Sequence, residues 1–167
     1  MHIRISGTVD DSIVDGPGYR YAIFTQGCPH GCPGCHNPQT HDPAGGKDAD
    51  TDDLLAEVLD NPLLAGVTFS GGDPFLQPRP LTDLAAKIKE LSSLDIWCYT
   101  GYTLEELQAR HDADTDRLLS YVDVLVDGRF IESWRDISLA FRGSRNQRLI
   151  DMNATRETGR ITLWKES

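Results

Sequence analysis

The chain carries near its middle the stretch Gly66-Val67-Thr68-Phe69-Ser70-Gly71-Gly72, a short apolar run that ends in two glycines. A run of this length between turn residues predicts a buried strand, and the glycine pair predicts a tight loop at its carboxyl end. Leu81, Leu84 and Ile88 then repeat at helical spacing, with charged residues between them. Strand, loop and helix therefore follow one another in this order.

The same order recurs on both sides of this unit. Further apolar runs predict strands at residues 21–24, 96–99 and 122–126. Helices are predicted after Thr51 or Asp52 as a cap, after a capping box at Thr103-Leu104-Glu105-Glu106, and around residues 117–120. Such units form a parallel sheet with crossover helices. A closed eight-stranded barrel needs roughly 200 residues or more. The α/β fold is therefore an open partial barrel or a doubly wound sheet.

Length and composition narrow the class of protein. The 167 residues fit one domain, 1–167, and residues 41–50 predict a surface connection within it. No apolar run is long enough for a transmembrane helix, and the first residues lack a signal-peptide pattern, so we expect a cytoplasmic protein without a membrane partner. The net charge of -10 argues against a nucleic-acid partner, because phosphate binding needs a basic surface.

Four loops follow the predicted strands, and each contains polar or glycine residues. In a parallel sheet these loops share one edge, where ligands bind. They contain Cys28 to Cys35, Gly71-Gly72-Asp73, Thr100-Gly101 and Asp127-Gly128-Arg129. The sequence therefore predicts one site built from these four loops.

The first of these loops spaces its thiols as C-x3-C-x2-C, at Cys28, Cys32 and Cys35. Three thiolates favour an iron-sulfur cluster that keeps one iron open, because a full set of four cysteines would leave none. The alternative is structural zinc, with His36 as the fourth ligand. The spacing favours the cluster, since His36 directly follows Cys35. Cys98, inside a predicted strand, is expected to be a core residue.

Three sequence segments carry a specific resemblance to a known family. They are Asp15-Gly16-Pro17-Gly18-Tyr19-Arg20, Phe24-Thr25-Gln26-Gly27-Cys28 and Cys35-His36-Asn37-Pro38. The chain thereby resembles, over residues 6–152, the radical S-adenosylmethionine enzymes that activate glycyl-radical enzymes. The short chain and the segment 141–148 favour the branch that activates anaerobic ribonucleoside-triphosphate reductase. The pyruvate formate-lyase type and small-molecule enzymes such as 7-carboxy-7-deazaguanine synthases are the alternatives.

The resemblance implies a fold, two cofactors and a partner. The fold would be the open partial (β/α) barrel of radical S-adenosylmethionine enzymes, with a mostly parallel sheet. A 4Fe-4S cluster on Cys28, Cys32 and Cys35 would be reduced by a protein such as flavodoxin or ferredoxin. It would then cleave S-adenosylmethionine to a 5′-deoxyadenosyl radical, which takes a hydrogen from a glycine of the reductase.

The resemblance also implies contacts to S-adenosylmethionine. The backbone from Gly34 to His36 would touch the adenine, and Asn37 would brace the loop. Gly71 and Gly72 would receive the amino group of the methionyl moiety, with Asp73 where the family has glutamate. Thr100 would line the nucleoside. Asp127 would accept from the ribose, and Arg129 would bind the carboxylate. Gly34 stands where many radical enzymes carry an aromatic residue.

Overall fold

The structure is a computed structural model that describes residues 1–166, and its core element is one seven-stranded sheet. The strands are β1 (His2–Ser12), β2 (Arg20–Thr25), β3 (Lys47–Asp50), β4 (Gly66–Gly71), β5 (Asp95–Tyr99), β6 (Val124–Asp127) and β7 (Arg148–Asp151). The α-helices are α1 (Thr51–Asp60), α2 (Pro78–Leu91), α3 (Leu104–Ala109), α4 (Ala113–Tyr121) and α5 (Met152–Thr158).

The strand order of the sheet is β3-β1-β2-β4-β5-β6-β7. The four central strands, β2, β4, β5 and β6, are parallel, whereas β1, β3 and β7 pair antiparallel at the two sides. From one side of the sheet to the other, the four parallel strands stand in the order in which they occur in the chain. Because parallel crossovers are right-handed, this order places the connecting helices on one face of the sheet. The predicted α/β fold is confirmed, with the winding of an open partial barrel and not that of a doubly wound sheet.

The helices cover the main hydrophobic core on this face. Ile23, Phe69, Cys98 and Leu125 lie side by side on the four parallel strands and are fully buried. The amphipathic helix α2 contributes Leu81, Leu84, Ala85 and Ile88 to the same core. Each buried Leu or Ile side chain stabilises the fold by roughly 1.5–3 kcal/mol. Cys98 is therefore a core residue, as its position in a strand predicted.

A buried arginine, Arg20, packs at one end of the other face of the sheet. The Arg20 guanidinium donates to Asp95 Oδ1 at 2.5 Å and to Thr68 Oγ1 at 2.8 Å, and it lies over the Trp97 ring. Arg20 and Asp95 begin β2 and β5, so this cluster lies at the amino ends of the parallel strands. The carboxyl ends of these strands lie at the opposite edge, where the candidate site is found.

Two local predictions from the sequence were wrong. The residues 41–50, expected to form a surface connection, contain the edge strand β3, which pairs with β1 through His2 and Asp50. Its residues are too polar to show a strand pattern. Helix α1 is capped by Asp50, whose side chain accepts from the Asp52 N–H at 2.8 Å, and not by Thr51 or Asp52. The capping box of Thr103 and Glu106 is confirmed.

No helix among residues 1–166 has both the length and the apolar character required to span a membrane.

Candidate functional site

The cysteine loop begins directly after β2 and is fixed by backbone hydrogen bonds. The Gly27 N–H donates to the Thr40 carbonyl at 2.6 Å, and the Cys28 N–H donates to the His41 carbonyl at 3.1 Å. Gly27 has a φ of 103°, a conformation that favours glycine. These hydrogen bonds hold the two ends of the loop together, and Cys28, Cys32 and Cys35 all belong to the loop that they close.

The three thiols of this loop are half-buried, free and close enough to influence one another. Burial raises the pKa of Cys28, and backbone hydrogen bonding from His30 partly offsets this; the charges of the neighbouring thiols raise it further. Burial likewise raises the pKa of Cys32, and hydrogen bonding from the Phe130 backbone offsets a part of this rise. The Asn37 N–H donates to Cys35 Sγ at 3.4 Å. The Cys35 sulfur thus has a backbone donor, and such a donor favours the thiolate form in which cysteine binds a metal.

These thiols suit a cluster better than a single ion. Among residues 1–166, no three Cys, His, Asp or Glu side chains are arranged to hold one metal ion. A zinc ion needs four ligands around one centre, whereas the cysteines of a cubane cluster bind separate irons. His36, the proposed fourth zinc ligand, is exposed and packs against the Phe130 ring at 5.4 Å. The donor set of three soft sulfurs therefore fits a 4Fe-4S cluster.

A fully buried carboxylate joins three of the four loops. Asp73 Oδ2 accepts from His30 Nε2 at 2.6 Å and from the Gly101 N–H at 3.0 Å, and its two oxygens lie 3.0 and 3.1 Å from Thr100 Oγ1. The His30 side chain is only 3% exposed. We call this group, Asp73 with His30, Thr100 and Gly101, the Asp73 junction. It connects the cysteine loop to the loops after β4 and β5.

The glycine pair allows the loop after β4 to lie against the backbone of the cysteine loop. The Asp73 N–H donates to the Gly27 carbonyl at 2.8 Å, and the Gly72 N–H donates to the Thr25 carbonyl at 2.9 Å. A Cβ at Gly72 would lie 2.1 Å from the Gly27 carbonyl oxygen, a distance that no side chain tolerates. Gly71 has a φ of 103°. A side chain at Gly72 would separate the two loops.

The loop after β6 carries a buried ion pair. Asp127 accepts from Arg148 Nε at 3.0 Å and from the Leu104 N–H at 2.8 Å, and its side chain is buried. Arg148 also binds Glu105, with the closest atoms 2.6 Å apart, and these carboxylates raise its pKa. Arg129 is half-exposed, 3.7 Å from Glu106, and its charge offsets a part of the rise that burial causes in the pKa of Cys32. Asp127 thus connects β6 to helix α3 and β7, while Arg129 faces the cysteine loop.

The residues around the last cysteine line the outer side of the loop. Gly34 and His36 are exposed, and Asn37 is partly buried. Gly34 has a φ of 72°, and the Glu132 side chain passes so close that a Cβ there would lie 3.0 Å from it. A side chain at position 34 would need a left-handed backbone conformation and a shift of the Glu132 carboxylate, and both disfavour an aromatic residue there.

The structure brings all of the predicted site residues to the carboxyl edge of the parallel strands. It adds two residues that the sequence analysis did not select, His30 and Arg148. His30 stands between two cysteines of the motif, which is a signal that could have drawn attention to it. Arg148 lies 21 residues from its partner Asp127 on a strand that was not predicted, and the sequence offered no sign of this pairing.

Comparison with known proteins supports an iron-sulfur function. The model of the family described as a 4Fe-4S single cluster domain matches residues 14–150. A relative from Vibrio cholerae serotype O1, named anaerobic ribonucleoside-triphosphate reductase-activating protein, is 41% identical over 143 residues, which cover 81% of this chain and 89% of that protein.

Two further relatives carry the same name. The protein from Escherichia coli K12 is 38% identical and covered to 90%, and the protein from Enterobacteria phage T4 is 36% identical and covered to 86%; each match covers 81% of this chain. Among solved structures, QueE from Escherichia coli has a TM-score of 0.52 at 16% identity, over 75% of this chain and 70% of that one. This structural likeness supports the fold alone.

Proposed function

The chain belongs to the family of anaerobic ribonucleoside-triphosphate reductase-activating proteins, and from this premise we propose that it cleaves S-adenosylmethionine reductively and generates a glycyl radical on its reductase under anaerobic conditions. The observation that carries the proposal is the cysteine loop, where three thiols within eight residues follow β2 at the carboxyl edge of the parallel strands. Three cysteine ligands leave the fourth iron of a cubane cluster open to an outside ligand. The protein is therefore an enzyme of the oxidoreductase type.

Cys28, Cys32 and Cys35 would hold the 4Fe-4S cluster, with S-adenosylmethionine beside it. When bound and reduced, the cluster would supply the electron for reductive cleavage of S-adenosylmethionine, and the resulting radical would take a hydrogen atom from a glycine of the reductase. The protein orients the reactants and excludes water. Burial of the thiols and the closed backbone of their loop serve both purposes.

The four loops supply the proposed contacts to S-adenosylmethionine. Gly71 and Gly72 offer backbone carbonyl oxygens to the amino group, because an ammonium group needs acceptors and the Gly72 N–H is already bonded to the Thr25 carbonyl. The backbone from Gly34 to His36 is exposed and can lie against the adenine, while the Asn37 N–H supports Cys35. Asp73, which occupies the position of the family's glutamate, directs its carboxylate into the Asp73 junction.

The remaining contacts lie on the loops after β5 and β6. Thr100 lines the nucleoside from its position beside Asp73. Arg129, which is half-exposed and close to Cys32, binds the carboxylate of S-adenosylmethionine. Asp127 accepts from the ribose in addition to Arg148 and Leu104, because a carboxylate has about four lone-pair sites.

The proposed setting is the cytoplasm, with a flavodoxin or ferredoxin as the reductant. The net charge of -10 is the reason to propose no nucleic-acid partner. The sheet ends in edge strands β3 and β7 and does not close, so the loop of another protein can approach its carboxyl edge. An open edge suits a macromolecular substrate such as the glycyl-radical subunit.

Anaerobic reconstitution tests this proposal. We expect iron and labile sulfide in a ratio near that of a 4Fe-4S cluster, 5′-deoxyadenosine after addition of dithionite and S-adenosylmethionine, and a glycyl radical signal only with the reductase. Cys32→Ala should abolish cleavage, whereas Cys98→Ala, in the core, should retain it. Zinc without sulfide would contradict the cluster. Cleavage without a radical on the supplied reductase would favour a small-molecule substrate or another glycyl-radical enzyme.

A further inference from the structure

We propose that the loop joining β6 to β7, residues 128–147, is the surface on which the reductase docks, and that it recognises an apolar segment flanked by acidic residues. This inference rests on the proposed function, since it identifies the surface that receives the glycyl-radical subunit.

The first observation is an exposed apolar group on this loop. Ile137 is 92% exposed, Trp134 is 48% exposed and Ile131 is 37% exposed. We call these three side chains the apolar tip. Isolated exposed apolar residues are common, but one Trp and two Ile, all exposed within seven residues of one loop, are a concentration of apolar side chains typical of protein interfaces.

The second observation is that the loop is held in shape beneath the apolar tip. The Arg145 N–H donates to the Trp134 carbonyl at 3.0 Å, and the Asp136 N–H donates to the Gly143 carbonyl at 3.1 Å. The Gln147 side chain accepts from the Gly143 N–H at 2.8 Å. A loop that is already ordered loses little conformational freedom on binding. The tip is therefore displayed on a preformed support.

The third observation is charge. The segment 128–147 contains four arginines and two acidic residues, a net charge of +2, whereas the whole chain carries -10, so the remaining residues carry -12. Arg135 and Arg145 are exposed on the same loop as Ile137. A positive patch on an acidic protein attracts an acidic partner surface and fixes its orientation. The partner segment should therefore combine apolar and acidic side chains.

The fourth observation is continuity with the cluster site. The Phe130 ring packs against the ring of His36, which directly follows the last cysteine, with the two ring centroids 5.4 Å apart. Glu132 lies against Gly34. The loop that displays the apolar tip is therefore also one wall of the site. A protein seated on the tip is brought to the edge where its glycine has to reach the radical.

The test compares Ile137→Asp with a matched control, Leu63→Asp. Leu63 is 74% exposed and lies before β4, at the opposite end of the parallel strands. With reconstituted protein we expect Ile137→Asp to weaken the binding of the reductase at least tenfold and to lower the glycyl radical yield at limiting concentration, because it places a charge in an apolar contact. Cleavage of S-adenosylmethionine without the reductase should stay at the wild-type rate. Leu63→Asp should match wild type in all three measurements.

A second variant tests the charge. Arg135→Glu should weaken binding and make the affinity less sensitive to salt. Wild-type affinity in both Ile137→Asp and Arg135→Glu, with a normal radical yield from the wild-type protein, would overturn the docking surface and leave the proposed function intact. If the wild-type protein itself forms no radical on the reductase, the proposed function fails first, and the docking surface fails with it.

Discussion

Removal of the Asp73 carboxylate should loosen the cysteine loop from the rest of the site. Asp73 is fully buried and accepts from His30 Nε2 at 2.6 Å, from the Gly101 N–H and the Phe75 N–H at 3.0 Å each, and from Thr100 Oγ1 at 3.0 Å. Asp73→Ala leaves these four donors without their acceptor, in a region that water does not reach. The loops after β4 and β5 then lose their connection to His30.

The expected loss of stability follows from the kind of group removed. A hydrogen bond to a charged group contributes about 1.5–3 kcal/mol, and each buried donor left without its acceptor costs about 1–3 kcal/mol, although such losses do not simply add. We therefore expect the free energy of unfolding of Asp73→Ala to fall by about 3–5 kcal/mol. Asp73→Asn keeps one acceptor oxygen but replaces the other with an NH2 group that faces two N–H donors. We therefore expect its free energy of unfolding to fall by roughly 2 kcal/mol.

Two measurements check this prediction. Urea denaturation of the cluster-free protein gives the loss of stability, and Thr100→Val, which removes a single hydroxyl of the junction, is the control with an expected loss of about 1 kcal/mol. In the reconstituted protein, a chelator should remove iron several times faster from Asp73→Ala than from wild type. If Asp73→Ala unfolds within about 0.5 kcal/mol of wild type, the junction contributes nothing to stability and the reasoning is refuted.

Three further predictions concern single residues. Gly72→Ala should reduce cluster retention and stability because its Cβ would meet the Gly27 carbonyl, whereas Gly7→Ala, with open space around it, should have little effect on iron content. Burial alone would raise the pKa of Asp123, but hydrogen bonds from Lys89, Asn153 and the Ile96 N–H lower it below its usual value. The contribution of Asp123 to the stability of the fold is therefore present above about pH 4 and is lost as the pH falls through the lowered pKa. In urea denaturation from about pH 7 to about pH 3, the midpoint should fall less steeply with pH in Asp123→Asn than in wild type. Cys98→Ala should keep the full iron content and lower the unfolding free energy by roughly 1 kcal/mol, and loss of the cluster would contradict its assignment to the core.

The parallel half of the fold was predictable because its strands are buried on both faces. Such strands appear in the sequence as short apolar runs, and β4 and β5 were predicted to within a residue or so of their bounds. The antiparallel strands β1, β3 and β7 were not predicted. The edge strands β3 and β7 lie partly in water, and β1, although it lies between β3 and β2, is exposed from Thr8 to Asp11, so all three carry too many polar residues for the pattern.

The position of the site was predictable, but the partners of its side chains were not. Parallel winding brings all four loops to one edge whatever their side chains are. His30 and Asp73, in contrast, are separated by 43 residues, and their pairing depends on how the cysteine loop folds back over the loop after β4. Asp127 shows the same limit, since its main partner Arg148 comes from an unpredicted strand.

The shape of the cysteine loop depends chiefly on its backbone. Its ends are held by the Gly27 and Cys28 N–H groups, and the Asp73 N–H holds the Gly27 carbonyl at 2.8 Å. His30 is the one side chain between the first two cysteines that reaches a buried partner. Backbone contacts of this kind hold the ligands near their binding positions before the metal binds. They also leave the side chains of the loop free for contacts with the substrate. The exposed positions between the cysteines, Pro29, Gly31 and Pro33, should therefore accept substitutions that preserve the backbone conformation, whereas His30 should not.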